Sequence, residues 1–380
     1  MKKIVKMYLS LCLSIIFLYT SFVQNVYAED IYVNAISAIA LDCETKIVLY
    51  EKNAYNPIEI ASTTKIVTAL VAIKCGDLNK KIIISEKAAS IRGSEIGLKK
   101  GEEITLKELL YGLMLRSGND AAIAIAEGIS GSVDEFLKLM NEYALEIGLL
   151  NSNFESPHGL DSVNHYSTAY DLALVTAKAK ELVLFNEIVS SKDIDAKDYN
   201  FTRSYHNINK ILWLLPNSTG VKTGFTGKAG KCLVTSVKIQ NRDVIIITLN
   251  CTPRWQETKK ISEFIDKNYI YKKLISKDDP LERINIIDGV DSVEIISNRD
   301  IIIPVKKDVD IKVKVKKPLF DVYAPLKKGV SLGRVDIYGD NKLLYTQGLV
   351  AKNSVDIKNS FMRKLHKIKS LIIPSKSKNF

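Results

Sequence analysis

Three short patterns in this chain combine residue types that cleave acyl bonds, and they follow one another in a fixed order. Ser62-Thr63-Thr64-Lys65 sets a hydroxyl and an amine three residues apart. In a helix that spacing is nearly one turn, so the amine lies beside the hydroxyl. A serine hydroxyl is a poor nucleophile until a neighbouring base takes its proton. Lysine serves as that base once burial or nearby positive charge lowers its pKa. A helix start here also supplies a positive dipole end suited to a developing oxyanion. Ser117-Gly118-Asn119 comes next, between two segments of helical pattern, where a loop presents a second hydroxyl and an amide to a cleft. Lys222-Thr223-Gly224 comes last, in a strand-like run. Its glycine lets a substrate backbone approach closely, and its lysine and threonine suit a carboxylate.

Taken singly, each pattern has an ordinary structural explanation. Ser62 could cap a helix beside a surface lysine, Gly118 could stop one, and Lys222 could sit solvated on an edge strand. Ser375 and Lys378 repeat the first spacing in the tail, and Ser377-Lys378-Asn379 mimics the second, without any structural frame. Order and context, on helix, loop and strand, are what join the three.

The elements that must position them read as follows. Ala35–Leu41 and 46–50 form a hairpin about Asp42-Cys43-Glu44-Thr45. A helix begins near Ser62. Thr105 and Glu108 make a capping-box pattern ahead of Leu106, Leu109, Leu110, Leu113 and Met114 at helical spacing. Asp120 is expected to cap a small-residue helix to Glu127, apolar almost all round and therefore buried. An amphipathic helix follows over 133–147. Strands are expected around 221–223, 232–239 and 244–250, with a Gln240-Asn241 turn, and then a helix from Trp255 to about Tyr271. Strands, a helical middle, strands again and a closing helix fit an α/β (α+β) sandwich with an antiparallel sheet, over residues 29–275. After a link at 276–280, Val309, Ile311, Val313 and Val315 alternate with charged residues, the period of a half-buried strand. Residues 281–350 read as a small all-β sandwich domain. Phe361, Leu365, Ile368 and Ile372 then share one helical face among Arg363, Lys364, Lys367 and Lys369, before Pro374. Residues 357–374 are thus expected to form a basic amphipathic helix that lies on a membrane surface.

The chain has 380 residues, 46 % hydrophobic and 26 % charged, a globular balance long enough for two domains. Lys2, Lys3 and Lys6 precede an uncharged run from Met7 to Val23 and a cleavage-type Val26-Tyr27-Ala28, so residues 1–28 read as an export signal. Removing those three charges from the net +11 leaves +8, mostly a dispersed solvated surface. Cys43, Cys75, Cys232 and Cys251 are expected as free thiols. No Cys/His spacing calls for a metal, and neither a cofactor nor a nucleic-acid partner is expected.

Sets of this kind mark β-lactamases and penicillin-binding proteins. From about Ala35 to Val350 the sequence resembles the low-molecular-mass, serine-type D-alanyl-D-alanine carboxypeptidase family. Beyond the three motifs, the likeness includes Ile60-Ala61, Arg116, Asp120-Ala121, Pro157-His158-Gly159-Leu160 and Ser167-Thr168-Ala169. Phe225-Thr226, Ala229-Gly230 and Ala324-Pro325-Leu326-Lys327-Lys328-Gly329 continue it. The resemblance implies the DD-peptidase/β-lactamase-like fold, Ser62 as the acylated nucleophile, Lys65 as the base, and Ser117 as proton relay to the leaving D-alanine. Asn119 would hold the substrate amide, Lys222 would tune the electrostatics, and Thr223, Gly224 and Arg242 would bind substrate. The backbone N–H groups of Ser62 and Phe225 would form the oxyanion hole. Peptidoglycan stem peptides ending in D-Ala-D-Ala are the implied substrate and β-lactams the implied inhibitors, outside the cytoplasm. Thr219 departs from the family's usual Asp and Gly227 from an acidic residue. The alternatives are a class A-type β-lactamase, for which Glu146-Ile147-Gly148-Leu149 lacks the needed Asn at Leu150, and a non-catalytic β-lactam- or wall-binding protein.

Overall fold

In the computed structural model residues 31–358 are described. The expected export signal and nearly all of the expected basic helix lie outside them. The opening hairpin forms where apolar runs meet a turn: β1 (Ala35–Asp42) and β2 (Val48–Lys52) pair antiparallel. Asp42 Oδ1 accepts from Thr45 N (2.7 Å) and closes the turn. The helical middle follows, with a 3-10 turn (Ala61–Thr64) running into α1 (Lys65–Cys75). Then come α2 (Leu106–Leu115), α3 (Asn119–Ser130), α4 (Val133–Glu146), α5 (Ala169–Ala179) and α6 (Val183–Ser190). The chain returns to the sheet as β3 (Ser218–Thr226), β4 (Gly230–Ile239) and β5 (Arg242–Cys251), and α7 (Arg254–Asn268) closes this part. The sheet is antiparallel with order β2-β1-β5-β4-β3. Its three central strands are buried along almost their whole length, because helices cover both faces. Gln240 and Asn241 turn the β4–β5 hairpin with φ of 50° and 63°, the left-handed pair a tight hairpin favours.

Two helix starts differ from expectation. Thr105 caps α2 by accepting from Glu108 N (3.2 Å), but the Glu108 carboxylate does not complete the box. It turns away to accept from Thr202 N and Oγ1 (2.9 and 2.6 Å) and Tyr205 OH (3.1 Å), tying a distant loop to α2. Asp120 is not the cap of α3, since Gly118 holds that position. Its buried carboxylate instead accepts from the backbone N–H groups of Ile96 (2.9 Å), Gly97 (3.0 Å), Leu98 (3.1 Å) and Ala121 (2.8 Å). Asp120→Ala orphans the buried N–H groups of Leu98 and Ala121, at about 1–3 kcal/mol each, while the part-buried ones of Ile96 and Gly97 can turn to water. A loss of about 2–4 kcal/mol on urea denaturation is the expected result; a change under about 0.5 kcal/mol contradicts it.

The β-rich part begins earlier than the sequence pattern indicates. The closing helix stops at Asn268, and β6 (Tyr269–Ile275) pairs with β9 (Ile301–Lys306), so Tyr269 and Tyr271 are strand residues. A five-stranded sheet faces this ribbon, formed by β7 (Pro280–Ile284), β8 (Val293–Ile296), β12 (Lys342–Ala351), β11 (Ser331–Gly339) and β10 (Ile311–Lys316), in that order. Ile295, Ile303, Val335, Ile337 and Leu349 are fully buried between them. The alternating strand at 311–316 is the edge of that sheet, so Val313 stays 43 % exposed rather than half-buried on one clean face. Ile357 bridges Gly289 as extended chain, so the helix expected from residue 357 does not start there.

Candidate active site

Ser62 lies in the 3-10 turn and Lys65 opens α1, so the three-residue spacing sets Lys65 Nζ 3.1 Å from Ser62 Oγ. Lys65 is completely buried, and its amine meets two further groups, Asn119 Oδ1 at 2.8 Å and His158 O at 2.7 Å. Asn119 Nδ2 donates to Arg92 O (2.8 Å), a carbonyl that only accepts, which fixes the amide with its oxygen toward Lys65. Burial, and next the charge of Lys222, hold the Lys65 pKa well below the ordinary lysine range. A neutral amine has two N–H donors and one lone pair. Asn119 Oδ1 and His158 O take the donors, since neither can donate in return. Protonated, the amine donates to Ser62 Oγ as well; once neutral, its lone pair is left to the Ser62 hydroxyl, the geometry of a general base on its nucleophile.

The surrounding backbone is built to hold this arrangement. Ala61 and Ser117 have φ of 49° and 63°, left-handed values that non-glycine residues adopt at a cost. Gly159 packs so tightly that a Cβ there would lie 2.0 Å from Ala61 O. Thr68 Oγ1 donates to Pro157 O (2.6 Å). Pro157-His158-Gly159 is thereby clamped on α1 with the His158 carbonyl facing Lys65. Thr64 Oγ1 donates to Ala61 O (2.8 Å), so it accepts from His165 Nε2–H (2.8 Å), while His165 Nδ1 accepts from Glu155 N (3.0 Å). One tautomer of His165 satisfies both bonds. Burial pushes its pKa down to about 4 and that of His158 to about 3, so both are neutral.

Strand β3 forms the opposite wall. A Cβ on Gly224 would come within 3.1 Å of Ser62 N, Ile60 O and the Ala61 side chain, so the strand passes directly over the nucleophile's amide. Lys222 is buried, donates to Thr223 O (3.0 Å), and has its pKa lowered to about 7 by burial and then by Arg254. Thr223 is nearly buried, and Phe225, next after Gly224, is exposed. Ser117 is buried two residues ahead of Asn119, on the loop entering α3. Ser62, Lys65, Asn119, Lys222 and Gly224 therefore converge, with Ser117, Thr223 and Phe225 beside them.

Arg242 does not join them. It begins β5 at the far end of the β4–β5 hairpin, where it pairs with Glu44 and lies over the Tyr271 ring. Arg254, which belongs to none of the three motifs, stands at the right end. Its Nη1 donates to Gly224 O (2.9 Å) and Cys232 O (3.1 Å), and its buried Nε has no hydrogen-bond partner among the described residues. Glu146, the nearest match to a β-lactamase glutamate, is exposed at the last residue of α4. Thr219, in place of the family's usual Asp, accepts from Lys180 Nζ (3.2 Å), and Gly227 is open to solvent in the β3–β4 turn. Cys43, Cys75, Cys232 and Cys251 are free thiols. Among the described residues no group of His, Cys, Asp or Glu could hold a metal ion.

Residues 24–252 match the D-alanyl-D-alanine carboxypeptidase family, and residues 269–356 match the C-terminal domain of penicillin-binding protein 5. The chain is 34 % identical to the D-alanyl-D-alanine carboxypeptidase DacF of Bacillus subtilis, over 84 % of this chain and 85 % of DacF. It is 30 % identical to DacC of Escherichia coli, over 89 % and 88 % respectively. Penicillin-binding protein 5 from Haemophilus influenzae superposes with a TM-score of 0.76 at 29 % identity, covering 86 % of this chain and 99 % of that one. Extending across both domains, the match and the Ser62–Lys65–Asn119 geometry make this chain a member of the D-alanyl-D-alanine carboxypeptidase family.

Proposed function

We propose that the chain is a serine-type D-alanyl-D-alanine carboxypeptidase that removes the terminal D-alanine from peptidoglycan stem peptides. The observation that carries this is the buried Lys65 amine 3.1 Å from Ser62 Oγ, with the Asn119 and His158 carbonyls placed to take its other donors. Ser62 Oγ attacks the carbonyl carbon of the penultimate D-alanine as Lys65 takes the hydroxyl proton. The oxyanion is held by the backbone N–H groups of Ser62 and Phe225. The amide bond breaks, and the departing D-alanine amine receives a proton through Ser117. Water then cleaves the Ser62 ester and restores the proton balance. A β-lactam forms the same ester and is trapped on it. Asn119 and Lys222 hold the amine network, and Thr223 with Arg254 receives the substrate carboxylate. Residues 1–28 direct export, and the basic segment after residue 358 rests on the membrane; among the described residues no helix is long and apolar enough to cross one.

Incubation with a stem peptide ending in D-Ala-D-Ala is expected to release free D-alanine, and no release overturns the proposal. Arg254 gives a sharper prediction. A charged hydrogen bond contributes about 1.5–3 kcal/mol, so Arg254→Gln is expected to lower kcat/KM about tenfold to hundredfold on a free carboxylate. The loss should be much smaller on the C-terminally amidated peptide. Equal losses on both peptides would assign Arg254 to the Gly224 backbone alone.

A further inference from the structure

Five large apolar side chains stand exposed at one end of the β domain: Leu319 at 94 %, Phe320 at 85 %, Val290 at 57 %, Tyr323 at 49 % and Ile287 at 37 %. Single exposed apolar residues are ordinary, but an adjacent Leu-Phe pair left almost wholly in water marks a contact surface. Backbone pairing joins this group to the point where the described chain ends. Ile287 bridges Tyr323, with Ile287 N donating to Val322 O (2.8 Å) and Ala324 N to Ile287 O (2.9 Å). On the other side of the same segment Gly289 bridges Ile357, Val290 N donates to Asp356 O (2.8 Å), and Lys358 N donates to Asp288 O (2.8 Å). Tyr323 and Ile357 therefore pair with the same short segment, residues 287–289. Directly beyond it in the sequence come Phe361, Leu365, Ile368 and Ile372 at helical spacing, amid lysines and an arginine.

Charge divides between the two parts. Within the loop at residues 317–323, Lys317 is matched by Asp321. Lys316 is paired with Asp336 (2.8 Å) and Lys317 with Glu282 (3.1 Å). The loop has apolar surface and little net charge, whereas the tail has both apolar residues and a cationic excess. One anionic bilayer satisfies both, through headgroup attraction to the tail and burial of Leu319 and Phe320 at the acyl boundary.

We propose that the loop at residues 317–323 is a second membrane contact, with Leu319 and Phe320 entering an anionic lipid surface beside the C-terminal segment. Two contacts about a domain's end, unlike one tether, fix the orientation of the β domain on the membrane. The proposal rests on the membrane reading of the tail, and the test separates the two. The protein, as processed by the expressing cells, is sedimented with vesicles of phosphatidylglycerol and phosphatidylcholine. Leu319→Ser/Phe320→Ser is expected to partition at least tenfold more weakly than wild type while releasing D-alanine at the wild-type rate. A tail variant with Phe361, Leu365, Ile368 and Ile372 changed to serine is expected to weaken binding as well.

If the loop variant partitions like wild type and the tail variant does not, the loop proposal falls and the tail reading stands. If neither variant differs from wild type, or wild type does not bind, both fall. As an independent measurement, Phe320→Trp is expected to add emission that shifts to the blue on vesicles and is quenched by brominated acyl chains; unshifted emission overturns insertion. Loss of concentration-dependent self-association in the loop variant, with vesicle binding unchanged, would assign the loop to a second copy of the chain instead.

Discussion

Ser62→Ala is expected to lower kcat/KM for D-alanine release by about 10⁴-fold or more, the scale at which removing a nucleophile leaves only binding and oxyanion stabilisation. The hydroxyl is the group that Lys65 faces at 3.1 Å. Ser62 is only partly buried, and the 3-10 turn around it is held by other bonds, Thr63 Oγ1 to Ile60 O (2.6 Å) and Thr64 Oγ1 to Ala61 O (2.8 Å). Stability should therefore change by no more than about 0.5 kcal/mol. Intact-mass measurement after exposure to penicillin provides a second readout. Wild type should gain the mass of one β-lactam and Ser62→Ala should gain none. Retention of D-alanine release within tenfold of wild type by a folded Ser62→Ala protein would remove Ser62 from the reaction.

The parts of the site legible in the sequence are those that local geometry determines. Ser62 and Lys65 meet because three residues make nearly a turn. Gly224 reads from the sequence as room for a substrate backbone, and its close passage over the Ser62 amide, where a Cβ would lie 3.1 Å away, is a tertiary contact that the strand pattern does not encode. Partners distant in sequence were not legible in the same way. Asn119 and His158, 54 and 93 residues from Lys65, supply the acceptors that orient its lone pair. Pro157-His158-Gly159-Leu160 was visible as a matching stretch, but its task of presenting a carbonyl to Lys65 follows from α1 packing, which spacing does not encode. Arg242 and Arg254 show a topological cue that was available. With the β4–β5 hairpin turning at Gln240-Asn241, Arg242 must lie at the far end, and β5 must carry the chain back toward Cys232 and Gly224, where Arg254 stands. Likewise Glu108 and Asp120 occupy helix starts with capping residue types, yet loops from elsewhere in the chain claim both carboxylates. A local pattern identifies a good acceptor but not which donors will reach it.

Lys65→Met is expected to suppress D-alanine release by about 10³-fold or more, by a route distinguishable from Ser62→Ala. The hydroxyl remains but has lost its base, so what fails is the acylation step and not substrate recognition. Release should fall with little change in KM, and penicillin should acylate at a correspondingly slower rate instead of not at all. Two opposing terms govern stability. The substitution removes a buried amine whose charged form is strongly disfavoured, which stabilises, but it orphans Asn119 Oδ1 and His158 O at about 1–3 kcal/mol each. The net change should be a few kcal/mol at most, leaving a folded enzyme in which the chemical loss can be read.

The pH profile completes the test. Lys65 must be neutral to accept the Ser62 proton, so wild-type kcat/KM should fall as pH drops through the titration of the coupled Lys65–Lys222 pair. Burial places that limb far below the ordinary lysine range, with Lys222 lowered to about 7. For folding, a lysine whose native pKa is depressed binds fewer protons than the unfolded chain between that pKa and about 10.4. Its destabilising effect is therefore greatest below about pH 7 and fades as pH rises toward 10. Lys222→Met should accordingly gain stability over wild type most clearly at pH 6, with the gap closing by pH 10. A Lys65→Met profile that keeps the wild-type acid limb, at wild-type amplitude, would exclude Lys65 as the base.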